Sequence, residues 1–402
     1  MKTLYLHIGT SKTGTTTIQT YCGINREQLK SKGVLFPIMP YHYDRITENR
    51  NGHFLYAMIY ENGVRNKEKE KQVLKQELDY IVDCFKDYDN VLLSEESIWW
   101  ATATRRKGLW KYLQEHSQQN NYQVKIIVYL RRQDQFMMSR YNQIIKTDTG
   151  GGTQRFYEYF KDMNGKYKCV MNYRQRLDYM AKFFPKENIV VKRFDRSYFY
   201  NGDLNADFLH ILGVEIDDTF AELPKDENLA ISVQSGELKR VLNRLGTMTF
   251  AENQKHLQML NECEALLPKR EVSIMTTEHI EKFMKKFIDD NESIAVDYIG
   301  DGKPMFDYDY KQKPVWSYED KNYHEEVILF FAKAIDSVYK ENIQLKKENE
   351  RLNNNIEKIN KQIENINQKL NKEKSYSRET RYLLKHPIKS FYNKVKGALR
   401  KK

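Results

Sequence analysis

Leu4-Tyr5-Leu6-His7-Ile8-Gly9-Thr10-Ser11-Lys12-Thr13-Gly14-Thr15-Thr16-Thr17 opens the chain with an apolar strand pattern, a turn rich in Gly and Thr, and the start of a helix near Thr15. A strand that ends in such a turn and runs into a helix aims several backbone N–H groups at one point. The helix N-terminus adds partial positive charge there, so the stretch predicts an anion-binding loop. Gly9 and Gly14 have the G-x-x-x-x-G spacing of an ATP-binding loop, but the next position, where such a loop carries lysine, is Thr15. The loop's lysine is Lys12, three residues before Thr15. A lysine displaced in this way reaches a different oxygen of its ligand. Thr16 stands where an ATPase holds Mg²⁺, and by itself gives no ground for a metal; none is expected.

Working outward from this loop, the first 215 or so residues alternate strand-like and helix-like segments, the pattern of an α/β fold with a parallel sheet. Val91–Ser94, Val124–Leu130 and Asn188–Lys192 read as further strands. Helical spacing covers Glu68–Lys86, Trp110–Gln118, Gln133–Thr147, Tyr173–Phe184 and Asp203–Leu212. Gly150-Gly151-Gly152 reads as a loop, and residues 228–340 read as mainly helical with an aromatic loop at Phe306–Tyr323.

The chain has 402 residues, 30% of them charged, with a net charge of +11. Residues 375–402 carry nine Lys or Arg against one acid, Glu379, so the tail holds +8 of that total. A nearly neutral body argues against a nucleic-acid groove, and no nucleic-acid partner is expected. Cys22, Cys84, Cys169 and Cys263 are far apart and form no C-x-x-C pair, which suits a reducing cytoplasm. The N-terminus shows no leader pattern, and no apolar run approaches the ~20 residues that span a bilayer.

From about Tyr339 the character changes. Leu345, Asn349, Leu352, Ile356, Ile359, Ile363, Ile366 and Leu370 follow a 4-3 spacing, a heptad seam with Asn349 at an a position. A coiled coil and a homodimer through it are expected; a single solvated helix is the alternative. Beyond it Leu384, Ile388, Phe391, Val395 and Leu399 share one helical face amid Lys and Arg, the pattern of a basic amphipathic helix suited to an anionic membrane surface.

A second motif narrows the function. Val128-Tyr129-Leu130-Arg131-Arg132-Gln133-Asp134 leads to Ser139-Arg140-Tyr141-Asn142-Gln143, placing an arginine at a strand end and a serine eight residues later in the next helix. A fixed guanidinium and a hydroxyl so spaced can converge on a dianion. With Lys12-Thr13-Gly14-Thr15-Thr16, this chain resembles the sulfotransferases that use 3′-phosphoadenosine 5′-phosphosulfate (PAPS), most closely bacterial enzymes of surface and capsular carbohydrates. Val191–Ser197, Asp207-Phe208-Leu209 and Leu212-Gly213 extend the likeness, in discontinuous motifs over about residues 3–240.

The resemblance implies a P-loop-like three-layer α/β sandwich that binds PAPS and releases 3′,5′-adenosine bisphosphate. Lys12, Thr13, Gly14, Thr15, Thr16 and Thr17 would hold the 5′-phosphosulfate end, with Lys12 at the bridging oxygen, and Arg131 and Ser139 would hold the 3′-phosphate. The acceptor implied is a carbohydrate hydroxyl, which calls for a general base. Glu95 and Glu96 follow the strand Val91–Ser94, at the end where open α/β sheets bind ligands. Strand alternation lets only one of the pair enter the cleft; Glu96 is preferred, Glu95 stays open, and His53 is the rival base. Tyr41, His42, Tyr43, Trp99, Trp100, Arg105 and Arg106 are acceptor-site candidates by their aromatic and basic character. The expected organisation is a PAPS-binding core over 1–240, a helical and aromatic extension completing the catalytic domain over 241–340, a coiled coil over 341–374 and a basic tail over 375–402. The expected location is the cytoplasm, with the tail in peripheral contact with the inner membrane face.

Overall fold

The structure, a computed structural model, describes residues 1–104, 108–147, 152–224, 231–246, 248–267, 270–310 and 313–400. Arg105, Arg106, Gly150 and Gly151, singled out above, lie outside the described residues. The chain divides into two compact units, Met1–Val327 and Ile328–Lys402.

Among the described residues the first unit has seven strands: β1 Thr3–His7, β2 Val34–Leu35, β3 Tyr60–Glu61, β4 Val64–Arg65, β5 Asn90–Ser94, β6 Gln123–Leu130 and β7 Ile189–Arg193. Five of them form one parallel sheet in the order β2-β5-β1-β6-β7. The expected strands are all present; β2 and the small antiparallel hairpin β3-β4 were not read from the sequence. The hairpin turns on Asn62-Gly63, both with positive φ (51° and 78°), the pairing a two-residue turn requires.

Among the described residues the α-helices follow in chain order: α1 Thr15–Ile24, α2 Arg26–Ser31, α3 Lys67–Cys84, α4 Ser97–Thr104, α5 Leu109–Gln119, α6 Gln133–Thr147, α7 Phe156–Met171, α8 Tyr173–Met180, α9 Leu204–Ile211, α10 Val233–Leu242, α11 Phe250–Glu264, α12 Thr277–Met284, α13 Ile288–Ile294, α14 Lys321–Lys385 and α15 Pro387–Leu399. Side-chain caps fix several starts: Asn66 accepts from Lys69 N–H before α3, Asp203 from Ala206 N–H before α9, and Thr249 and Glu252 form a capping box on α11.

Strand alternation divides the core into two. Leu4, Leu6, Val91, Leu93, Ile126 and Val128 face one side, with residues of α3, α5, α6, α7 and α8. Tyr5, Leu92, Ile127 and Tyr129 face the other, with Ile18, Leu29, Phe208 and Leu209 of α1, α2 and α9. Helices thus cover both faces, which is why the strands read as apolar runs.

Register decides where chemistry can gather. His7 pairs with Ser94 and Ile127, and Leu130 pairs with Arg193, so the segments after β1, β5, β6 and β7 all leave one edge of the sheet. β1 lies between β5 and β6, and the chain order reverses across it, the switch point where open α/β sheets form a crevice.

In the second unit α14 passes through positions 341 and 375, expected above as boundaries, without a break; the interruption falls at His386, between α14 and α15. Leu345, Leu352, Ile356, Ile359, Ile363, Ile366 and Leu370 are 44–62% exposed along it. No described helix is long and apolar enough to cross a membrane.

Candidate active site

The loop after β1 is pinned at its start to β6, with Tyr129 N–H donating to Gly9 O at 2.7 Å and Thr10 N–H donating to Tyr129 O at 3.0 Å. Gly9 has φ +98°, and a Cβ on it would lie 3.0 Å from Glu96 Cβ, so only glycine lets the loop press against the segment after β5. Gly14 caps α1 in the left-handed region at φ 68°, ψ 21°. Lys12 is also left-handed, at φ 69°, a conformation a lysine holds only when the surroundings fix it. One such restraint is a hydrogen bond from Arg131 Nη1 to Lys12 O at 3.0 Å.

Two adjoining cavities meet here, and Ser139 and Asn142 line both. The first, about 450 Å³, is lined by Ser11, Lys12, Gly14, Thr15, Thr16 and Thr17 of the loop, by Glu96, and by Ser139, Arg140, Asn142, Gln143 and Lys146 of α6. The second, about 590 Å³, takes in Arg131, Ser139, Met138, Phe194 and Phe306. Burial lowers the Lys12 pKa, and Arg140, Arg131 and Lys146 lower it further, while Glu96 opposes them. That crowding of cations is the field an anionic ligand would neutralise. Arg131 is half-buried, its Nε has no hydrogen-bond partner among the described residues, and burial lowers its pKa too. A half-buried guanidinium with an unused donor beside an open cavity fits an anion.

The sequence-predicted residues do not all reach this place. Thr13 is fully buried, and its hydroxyl donates to Thr10 O at 2.6 Å, clasping the loop from within. Glu95 and Glu96 diverge as strand alternation requires. Glu96 is half-buried and lines the loop cavity, with Gln19 Nε2 3.4 Å from its Oε2. Glu95 is wholly buried: Arg50 reaches it through Nε at 3.1 Å and Nη2 at 2.6 Å, His53 Nδ1 lies 2.9 Å away, and Ser97 N–H donates at 2.8 Å. Burial alone would raise the Glu95 pKa, but the His53 and Arg50 hydrogen bonds bring it below the ordinary value. His53 lines a separate, much smaller hollow with Tyr41, His42, Tyr43 and Arg50. Its ring lies 4.8 Å from Tyr43 and 5.9 Å from Tyr56.

Of the two tryptophans, Trp99 is core, donating to Val170 O at 3.0 Å, whereas Trp100 donates to Ser11 Oγ at 3.0 Å and supports the loop. Arg132, next to Arg131, is held by Asp134 through Nε at 2.7 Å and Nη2 at 2.9 Å.

Five contributors were not read as site residues from the sequence: Gln19, Arg50, Arg140, Gln143 and Lys146. Gln19 links the site inward, since its Nε2 is also 3.2 Å from Ser94 Oγ, which lies 2.8 Å from His7 Nδ1. Gln143 and Lys146 join Ser139 on one face of α6; their spacing of four and three residues is that of neighbouring turns, a signal available in the sequence. Arg140 sits beside them, 5.5 Å from the Trp100 ring and 5.8 Å from the Tyr167 ring. Gln19 and Arg50 carried no such signal, because their partners come from elsewhere in the chain.

No family model matches this chain. A curated protein of Archaeoglobus fulgidus, described as uncharacterized, is 30% identical over 181 residues, 44% of this chain and 46% of that protein. The chain therefore spans about half the length of the curated relative it matches. Among solved structures, a sulfotransferase from Alicyclobacillus acidocaldarius is similar over 60% of this chain and 92% of that chain, with 14% identity and a TM-score of 0.32. At that score the likeness decides neither fold nor function.

Proposed function

We propose that this chain is a sulfotransferase that moves a sulfuryl group from PAPS to a carbohydrate hydroxyl. The observation that carries the reading is the meeting at Ser139 of two cavities, one lined by Lys12, Arg140 and Lys146 and the other bringing Arg131 to the same junction, with Asp134, Asp195, Asp307 and Asp309 on its farther walls. A donor with a charged group at each end of its ribose needs two such anion sites. Lys12, Gly14 and Thr15–Thr17 would take the 5′ end, and Arg131 with Ser139 the 3′-phosphate. Thr13 would act by keeping the loop's shape.

In the proposed reaction the acceptor oxygen bonds to sulfur as sulfur's bond to the bridging phosphate oxygen breaks. Lys12 stabilises the charge left on that oxygen, and Glu96 takes the hydroxyl proton. Glu96 lines the cavity with Lys12, while all four hydrogen bonds at Glu95 tie it to the protein. Glu95 and His53 would then be supports of the site's wall. The carbohydrate acceptor rests on the sequence resemblance.

Thermal shift with 3′,5′-adenosine bisphosphate against ATP–Mg²⁺ tests donor class, and labelled PAPS offered with a panel of glycans tests transfer. Stabilisation by ATP–Mg²⁺ alone would remove the proposal. We also infer that two copies pair through α14. Seven half-exposed Leu and Ile in heptad register on one helix are what a second copy would bury.

A further inference from the structure

Helix α15, Pro387–Leu399, is a separate element, set off from α14 at His386 (φ −134°, ψ 59°) and started by proline at its first turn. At about 100° per residue, Phe391, Val395, Ile388 and Tyr392 fall within roughly 100° of arc. They are 73%, 43%, 86% and 63% exposed, in that order. Lys389 and Lys396 border this sector on one side and Lys394 on the other, and no acidic residue occurs between Lys385 and Arg400.

Charge decides what can cover such a face. On α14 the apolar seam is flanked by a mixture of Asn, Gln, Glu and Lys, which tolerates a second helix of the same kind. On α15 a second copy would bring lysines against lysines at both borders. A surface carrying negative charge at the height of those borders, with apolar material beneath, reverses the sign of every such contact. Lysine stems can lie along the apolar sector while their ammonium groups reach up to phosphates.

We propose that α15 binds an anionic lipid bilayer, lying in its surface with Ile388, Phe391, Tyr392 and Val395 below the headgroups. Lys389, Lys394, Lys396 and Arg400 then meet lipid phosphates. The inference is independent of the chemistry at the sheet edge and survives if that reading fails.

The test is co-sedimentation of the full chain with vesicles, either neutral phosphatidylcholine or a mixture containing about a third phosphatidylglycerol. Each basic residue near an anionic surface contributes roughly fivefold to binding. The anionic vesicles should therefore bind at least about tenfold more protein than the neutral ones, with most of that advantage lost as salt shortens the screening length. I388D/F391D and K389E/K394E/K396E should each abolish the preference, with thermal melting unchanged because the altered side chains are exposed. Equal binding to both vesicles, or wild-type binding by I388D/F391D, overturns the proposal. So does lipid-free self-association that the same double variant abolishes, which would assign the face to a second copy.

Discussion

Exchanging Glu95 and Glu96 for glutamine, one at a time, should separate stability from turnover. Glu95 accepts two hydrogen bonds from Arg50 and one from Ser97 N–H and lies 2.9 Å from His53 Nδ1, with its own side chain fully inaccessible. Glutamine keeps one acceptor oxygen and turns an NH₂ group toward donors already in place. Removing one partner of a buried ion pair typically costs about 3–5 kcal/mol. The Arg50 and His53 side chains keep 25% and 14% of their exposure, so water screens part of the loss. About 3 kcal/mol is the expected penalty for Glu95→Gln. At roughly 2–4 °C per kcal/mol for a domain of 150–250 residues, that is a fall of about 6 °C, or slightly less in a larger unit.

Glu96→Gln disturbs no such network. Its carboxylate meets Gln19 Nε2 at 3.4 Å, so melting should stay within about 1 °C while transfer falls by about 10²–10⁴, the range for a lost general base. Affinity for 3′,5′-adenosine bisphosphate should be kept or improved, since a negative charge leaves an anion cavity. Calorimetric melting, bisphosphate titration and labelled-PAPS transfer read the three effects separately. If Glu95→Gln melts like the wild type yet loses transfer, and Glu96→Gln still turns over, the assignment of the two carboxylates is wrong.

Lys12→Gly should raise the melting temperature slightly, because a left-handed non-glycine residue stores about 1 kcal/mol, while abolishing transfer; a destabilised variant would contradict the strain argument. Arg131→Met should weaken 3′,5′-adenosine bisphosphate binding by about tenfold or more and 5′-AMP binding much less, read by titration with both; equal losses would place Arg131 with the loop alone. His7 is fully buried and its pKa is pushed down to about 3, so the unfolded chain takes up a proton near pH 6.5 that the folded chain refuses. Stability should therefore fall as pH drops from 6.5 toward 3, by at most about 5 kcal/mol from this residue, and urea unfolding of His7→Gln should show a shallower slope over that window. I356K/I363K, which charges two a positions of the seam, should convert a dimer to a monomer in sedimentation velocity, and an unchanged mass would refute pairing through α14.

The core strands were legible because each is an apolar run buried on both faces, and the turn after β1 was legible because its glycines have a fixed spacing. Val34–Leu35 was not, being two residues long and recognisable only by its pairing with β5. The Asn62-Gly63 hairpin carried a usable signal, but its strands are exposed and too short to alternate. Helix α7 was passed over although Tyr159, Tyr167 and Val170 pack into the core, since its apolar positions are mostly aromatic and mixed with Lys and Glu. At the candidate site, local motifs located Lys12, Arg131 and Ser139. The different surroundings of Glu95 and Glu96 needed Arg50 and His53, more than forty residues away in sequence.

That difference follows from the sheet itself. Successive residues leaving a strand point to opposite sides, so two adjacent carboxylates at the end of β5 meet different surroundings. The one turned inward must be paired, and Arg50 with His53 does this, which also fastens the segment before β3 to the sheet edge. The one turned outward meets the loop after β1, where Gly9 lets the two backbones approach closely. Glu96 is therefore held near Lys12 by backbone contact more than by side-chain bonds, and its carboxylate stays available to a proton. A side chain at position 9 would displace Glu96 and the loop together, whereas the Glu95 cluster, on the opposite side of the segment, would remain intact. Gly9→Ala should accordingly lower transfer far more than the loss of either acidity at Glu95 or capacity at His53 can explain.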